Sequence, residues 1–255
     1  MVLTEQNGPE AIRADNLVKR YANGVAGLNG ISLSIKKGEM VGILGKSGSG
    51  KTTFFRLLNG SIAPTEGNLS VFGQNVWGMS HKALRRLRAG IATVYQHHNI
   101  IPGLSVARNV LMGRLGQMSF LQAARMAFYL KDREIGDVYR ILEQLGMAEK
   151  IFDRATDLSG GQQQRVAIAR ALLCGPRLIL ADEPVASVDH GTAEVVLNLF
   201  RELNREQQIT VVLNLHQEDF ALQYCSRVIV LEQGSVIYNG SPEQWAAGRR
   251  DRCAC

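Results

Sequence analysis

The sequence predicts an α/β domain with a block of helices set into it, and three observations carry that expectation. A fully apolar run, residues 40–44, passes through Gly45 into a Gly/Ser loop and then into a helix-compatible stretch at 52–58. The same rhythm of apolar strand and amphipathic helix returns from residue 178 onward. Between these halves, residues 106–147 are rich in Leu, Ala and Arg and read as two or three helices.

Taken in order, the first third reads as short β segments. Residues 31–35 alternate apolar and polar side chains, Lys37-Gly38 turns, and 40–44 forms a buried strand. Strand candidates follow at 69–72 and 91–95, then the helical block, then a helix over 163–173. In the last third 178–181 is a buried strand, 192–204 an amphipathic helix and 209–215 another apolar strand. Residues 228–231 and 235–238 form a strand pair around Gln233-Gly234. No internal repeat is present, which removes solenoids and propellers.

A chain of 255 residues can bury a full core without disulfides. Its four cysteines are scattered except for a terminal Cys253-x-Cys255, which lacks the second ligand pair of a zinc site; reduced thiols are expected. No apolar run approaches a bilayer-spanning length, and the polar first ten residues do not resemble a secretory signal, so a cytosolic protein is expected. The net charge of +6 could mark nucleic acid, an anionic surface or a solubilising face. The basic clusters at 82–88 and 249–252 are short and carry no interleaved aromatic residue, which argues against nucleic acid.

Gly45-Lys46-Ser47-Gly48-Ser49-Gly50-Lys51-Thr52 matches G-x-x-x-x-G-K-[ST], in the strand–loop–helix context that gives the pattern meaning. Gly45, Gly48 and Gly50 permit backbone angles that turn N–H groups toward a phosphate, with Ser47 and Ser49 between them. The following helix, from Thr52-Thr53, points its positive end at the same anion. Lys51 can reach the β and γ phosphates of a nucleoside triphosphate, and the Thr52 hydroxyl can ligate Mg²⁺. Downstream, the strand ending at Ala181 delivers Asp182 and Glu183 at its carboxyl end, where open parallel sheets bind ligands. Asp182 is suited to hold Mg²⁺ through its water shell, and Glu183 to polarise the water that attacks the γ-phosphate.

Leu158-Ser159-Gly160-Gly161-Gln162, followed by Gln163-Gln164-Arg165, resembles the signature motif of ABC ATPases. The resemblance implies a P-loop NTPase (RecA-like) core with an N-terminal antiparallel β subdomain and an inserted helical signature subdomain. The core would comprise residues 1–96 and 174–245 and the helical subdomain 97–173; a tail at 246–255 lies past the resemblance, with 249–255 expected to be a frayed basic end. It further implies a head-to-tail homodimer with two ATP molecules in its interface. Lys51 of one chain and Ser159, Gly160, Gly161 and Gln162 of the other would grip each nucleotide. Four more positions match the family individually. Tyr21 resembles the residue that stacks on adenine, and Gln96 the glutamine that touches Mg²⁺ or the attacking water. Asp189 resembles the aspartate that crosses the interface, and His216 the histidine at the γ-phosphate. Val188 stands where the family more often has leucine.

The resemblance spans about residues 12–240, and stretches 95–99, 104–106, 109–116 and 181–187 look most like ATPases of the phosphonate importer group, including those for phosphite and hypophosphite. It implies a permease partner docked on residues 109–116, an indirect periplasmic or surface solute-binding protein, and a peripheral place on the cytoplasmic face of the inner membrane. Two readings remain beside it. A polar amino acid importer ATPase is disfavoured by residues 111–117. A soluble ABC protein acting on ribosomes or DNA is disfavoured by a single cassette without sustained heptads.

Overall fold

Parallel strands buried on both faces are written as continuous apolar runs, and the predicted runs form such a sheet. The computed structural model of the chain describes residues 9–95, 100–186 and 188–253. Its larger sheet contains β3 (Met40–Leu44), β6 (Ile91–Val94), β7 (Leu178–Asp182), β8 (Thr210–Asn214), β9 (Arg227–Glu232) and β10 (Ser235–Gly240), ordered β10-β9-β3-β8-β7-β6. The pairs from β9 through β6 are parallel, and β10 closes one edge antiparallel. Because neighbours are parallel, the carboxyl ends of β3, β8, β7 and β6 lie along one edge of the sheet.

A second sheet, ordered β2-β1-β4-β5, is antiparallel and uses β1 (Glu10–Arg20), β2 (Ala26–Lys36), β4 (Glu66–Val71) and β5 (Gln74–Asn75). Strand alternation divides the apolar side chains between two cores. Val41, Ile43, Leu178, Leu180 and Val212 pack with Ile12, Leu17, Ile31 and Ile35 of the second sheet and with Phe54, Leu57 and Leu58 of α1 (Lys51–Leu58). Met40, Leu44, Ile179, Ala181, Val211 and Leu213 face the other way, toward the helices.

The elements between β6 and β7 are all helical: α3 (Val106–Leu111), a 3₁₀ segment (Met112–Gln117), α4 (Phe120–Phe128), α5 (Asp132–Gln144), two short 3₁₀ turns and α6 (Gly160–Leu172). Val106, Val110, Leu111, Val138, Leu142, Val166 and Ile168 join the same core as the sheet. Arg114 pairs with Asp137 at 2.7 Å, and Arg125 with Glu134, tying the 3₁₀ segment and α4 to α5. After β7, α7 (His190–Gln207) and α8 (Glu218–Tyr224) alternate with the strands, and α9 (Pro242–Cys253) ends the described chain. No described helix is long and apolar enough to cross a membrane.

Besides β5 and α8, which the sequence reading did not include, three elements exceed the sequence-based expectation. β1 is an eleven-residue strand whose alternation is broken by a bulge at Asn16, held at φ 46. α2 (His81–Ala89), expected only as a basic cluster, is capped by Ser80 and buries Leu87 alone, so its apolar signal is weak. The end expected to fray from residue 249 is helical as far as Cys253: α9 starts with Pro242 at the first helical position, with Ser241 Oγ accepting from Gln244 N–H at 3.3 Å.

Candidate functional site

The loop between β3 and α1 is shaped by its glycines. Gly45, Gly48 and Gly50 hold φ of 145, 78 and 106, and a Cβ on Gly45 or Gly50 would strike the Leu231 or Gly27 carbonyl. No side chain caps α1, so its leading N–H groups face the loop. Lys51, 5% exposed, folds its Nζ onto the carbonyls of Gly45 at 2.6 Å and Lys46 at 3.0 Å. Burial pulls the Lys51 amine below its ordinary pKa, and Glu183 and Asp182 oppose that shift. Ser49 is buried, and its Oγ has no hydrogen-bond partner. Thr52 is exposed at the loop rim, and Thr53 is buried behind it.

Sheet register assembles the other half. Ile43 pairs with Asn214, and Asn214 with Asp182, so β3, β8 and β7 end together. Asn214 Nδ2 donates to Asp182 Oδ1 at 2.5 Å. Burial raises the Asp182 carboxyl above the usual range, Asn214 and the cations Arg56 and Lys51 counteract this, and Glu183 adds to it. Glu183 sits at φ 54, a left-handed conformation unusual for a side chain of this size, and its N–H donates to the Asn214 carbonyl at 3.1 Å. His216, two residues past β8, places Nε2 2.5 Å from Glu183 Oε1.

Tyr21, immediately after β1, hydrogen-bonds Thr53 Oγ1 at 3.0 Å, which sets its ring beside the start of α1. Lys19 Nζ lies 5.6 Å from the centre of that ring. The structure therefore gathers Tyr21, residues 45–53, Asp182, Glu183 and His216 around one sheet edge. Gln96 lies outside the described residues.

Ser159, Gly160, Gly161 and Gln162 stand apart at the start of α6. Ser159 Oγ accepts from Gln162 N–H at 3.4 Å while Gln162 Oε1 accepts from Ser159 N–H at 2.9 Å, a capping box that leaves Ser159 and Gly160 exposed. Asp189 caps α7 through its carboxylate alone, accepting from Thr192 N–H at 3.0 Å and the Thr192 hydroxyl at 2.7 Å. Those bonds hold its carboxyl below the usual range.

Two site neighbours were given no role from sequence, Gln164 being noted only in the run that follows the signature motif. Asn214 ends a strand whose middle, Val211 to Leu213, is apolar, and Gln164 interrupts the buried stripe of α6; each is a buried polar residue where burial would favour an aliphatic one. Residues 109–116, expected to form a docking surface, divide. Asn109 is fully buried, its amide bonded to Ile101 N–H, Ile101 O, Leu104 O and Ser105 O. Met112, Gly113 and Gly116 do reach a cleft of about 550 Å³, shared with His81, Arg85 and Arg88 of α2.

The residues present suit a nucleoside triphosphate: uncapped N–H groups, a buried amine and an unpartnered hydroxyl converge at the loop. They also suit Mg²⁺. Among the described residues no three His, Cys, Asp or Glu side chains could jointly hold a metal. An ion bound by Thr52 and Asp182 would complete its shell with phosphate oxygens and water, as Mg²⁺ commonly does.

A parallel sheet whose central strand opens into this loop, beside an Asp-Glu pair, defines a P-loop nucleoside triphosphatase. Comparison with known proteins narrows the class: the ABC transporter family profile matches residues 28–186. This chain belongs to the ABC transporter family of ATP-binding subunits. It is 42% identical over 233 residues to "Phosphonates import ATP-binding protein PhnC 2" of Halalkalibacterium halodurans, covering 91% of this chain and 95% of that protein. It is 44% identical over 234 residues to the PhnC protein of Bdellovibrio bacteriovorus, covering 91% and 89%. Among solved structures, the dimeric bacterial ABC transporter cassette MJ0796 superposes with a TM-score of 0.82 at 31% identity, covering 91% of this chain and 98% of that one. The same cassette in a post-hydrolysis dimer bound to ADP and Pi gives 0.80 at 32%, with the same coverage.

Proposed function

We propose that this chain hydrolyses ATP to drive a phosphonate importer, as one half of a head-to-tail dimer that encloses two nucleotides. The observation that carries this reading is the separation of the site. The phosphate loop, the carboxylates and His216 meet at one sheet edge, whereas Ser159 and Gly160 are presented on an exposed helix start suited to a phosphate on another chain. The similarity to phosphonate import proteins, strong over nearly the whole chain, supports the cargo.

In this reading Tyr21 stacks on adenine. The N–H groups of residues 45–53 and the Lys51 amine surround the β and γ phosphates. Asp182, Thr52 and Gln96 hold Mg²⁺, which supplies charge neutralisation on the phosphate oxygens when bound. Glu183 accepts the proton of the attacking water, and His216 holds Glu183 through Oε1 and faces the γ-phosphate. Asp189 crosses to the partner, whose Ser159, Gly160, Gly161 and Gln162 close over the nucleotide. Binding of ATP favours the closed dimer, and hydrolysis removes the charge that holds it shut.

The permease is the natural occupant of the cleft between α2 and the 3₁₀ segment. That places the subunit peripherally at the cytoplasmic face of the inner membrane, with the solute-binding protein reached only through the permease. The dimer is tested by mixing Lys51→Ala with Ser159→Arg subunits, each inactive alone. One of the two sites in the heterodimer is then intact, and partial ATPase activity returns. No recovery in well-mixed heterodimers refutes the sandwich, and uptake of labelled methylphosphonate by the reconstituted transporter tests the cargo.

A further inference from the structure

Three consecutive glutamines on α6 do different work. Gln162 closes the capping box with Ser159, and Gln163 Nε2 donates to the carbonyls of Ala155 at 3.3 Å and Leu158 at 3.2 Å, bracing the turn before the helix. Gln164 points out of the helical block altogether. It is 2% exposed, and its Nε2 donates to the Pro184 carbonyl at 2.7 Å. Pro184 follows Glu183, whose left-handed backbone is set by its bonds to Asn214 O and from Ala186 N–H. Three residues before Gln164, on the same helix stripe, Gly161 packs toward the same segment: Val188 Cγ1 and Thr192 Cγ2 lie 3.6 and 3.7 Å from where its Cβ would stand. The start of α6 therefore touches the stretch from Glu183 to Thr192 at two points, one of them a buried, directional hydrogen bond.

These contacts join groups that serve different nucleotides. Ser159 to Gln162 act on the ATP held by the partner, whereas Glu183 acts on the ATP held by its own chain. We propose that Gln164 is a positioning residue that couples the two sites: engagement of the signature segment with one ATP is transmitted through the Gln164 amide to the Pro184 carbonyl, and so to the placement of Glu183 over the other. The inference rests on the sandwich reading above. It gives the two hydrolysis events a link inside each chain, in addition to the dimer interface. Fine adjustment of Glu183 then depends on whether the same chain's Ser159 has found its phosphate.

Gln164→Met keeps length and volume but cannot donate, and Gln164→His keeps a ring N–H at similar reach. Wild-type ATPase is expected to rise with ATP with a Hill coefficient above about 1.5, a value that requires coupled sites. The Met variant is expected to bind ATP within about twofold of wild type, lose about tenfold in kcat and show a Hill coefficient below that of wild type, down to what the dimer interface alone supplies, with the His variant recovering much of both. A double-mutant cycle separates coupling from mere packing. In the Lys51→Ala/Ser159→Arg heterodimer, the surviving site uses Glu183 of the chain whose own signature is already disengaged. Gln164→Met added to that chain should lower its rate less than twofold. An equal tenfold loss in homodimer and heterodimer overturns the coupling. So does an unchanged Hill coefficient in a folded Met variant, or a wild-type coefficient near 1 with two nucleotides bound, which decides the matter even if the Met variant does not fold. A heterodimer with no activity before Gln164 is altered refutes the sandwich itself.

Discussion

Replacing Glu183 with glutamine isolates one oxygen's ability to accept a proton. The glutamine side chain has the same length and shape, and its amide oxygen can still accept a hydrogen bond from His216 Nε2, now 2.5 Å from Oε1. The left-handed φ of 54 is a backbone property that both residues tolerate equally, and the N–H bond to Asn214 O does not involve the side chain. Folding stability should therefore change by less than about 1 kcal/mol. What disappears is the base. General-base assistance contributes about 10²–10⁴ in rate, so the barrier should rise by about 2.7–5.4 kcal/mol, and kcat should fall by the same factor. In the proposed sandwich nucleotide binding relies on the loop, Lys51 and the partner's signature segment, so the variant should bind ATP and accumulate as a closed dimer. Phosphate release measured in a single turnover gives the rate, and size-exclusion chromatography with ATP and Mg²⁺ gives the dimer fraction. Phosphate release within tenfold of wild type, in a protein with an unchanged urea midpoint, refutes the assignment of Glu183 as the base.

Two further predictions concern stability. A non-glycine residue in the left-handed region costs about 1–2 kcal/mol, so Glu183→Gly, equally inactive, should be more stable toward urea than Glu183→Ala by about 1 kcal/mol; equal midpoints would contradict the strained backbone. The Arg114 guanidinium holds the Asp137 carboxyl below the usual range, outweighing the opposing effect of burial, with Arg140 at 2.6 Å assisting. Asp137→Asn should cost about 1–3 kcal/mol at pH 7. Because the folded pKa is lowered, that contribution is present above the unfolded value near about 4 and is lost as pH falls through the folded one. The gap between wild type and variant, followed by urea unfolding against pH, should close on acidification, and a gap that widens would reverse the assignment.

The parts of the fold that were legible in the sequence are those where one physical demand dominates. Strands buried on both faces must be apolar throughout, so 40–44, 178–181 and 209–215 declared themselves to within a residue or so of β3, β7 and β8. The phosphate loop was legible because left-handed backbone angles require glycine at fixed spacing. β1 was obscured because Asn16 adds a residue that shifts the alternation, and α2 because it buries a single leucine. Asn109 was expected near the surface, yet its amide satisfies four backbone groups of the turn at 101–105, a use that leaves no periodic trace. Asn214 was invisible, and the role of Gln164 illegible, for the same reason. Each is one polar atom aimed at one partner across the fold, and only the packing of distant segments gives it meaning.

The phosphate loop is clamped from two independent directions. Gly234, in the turn between β9 and β10, donates its N–H to the Ser49 carbonyl at 3.0 Å, and its own carbonyl accepts from Asn29 of β2 at 2.8 Å, while Gly50 abuts Gly27. The larger sheet and the antiparallel sheet thus meet at the loop and hold it between them like the jaws of a vice. A cradle shaped before its guest arrives loses little conformational freedom on capture. Most of the free energy of ATP capture then stays available for drawing the two subunits together, the motion that a permease can feel.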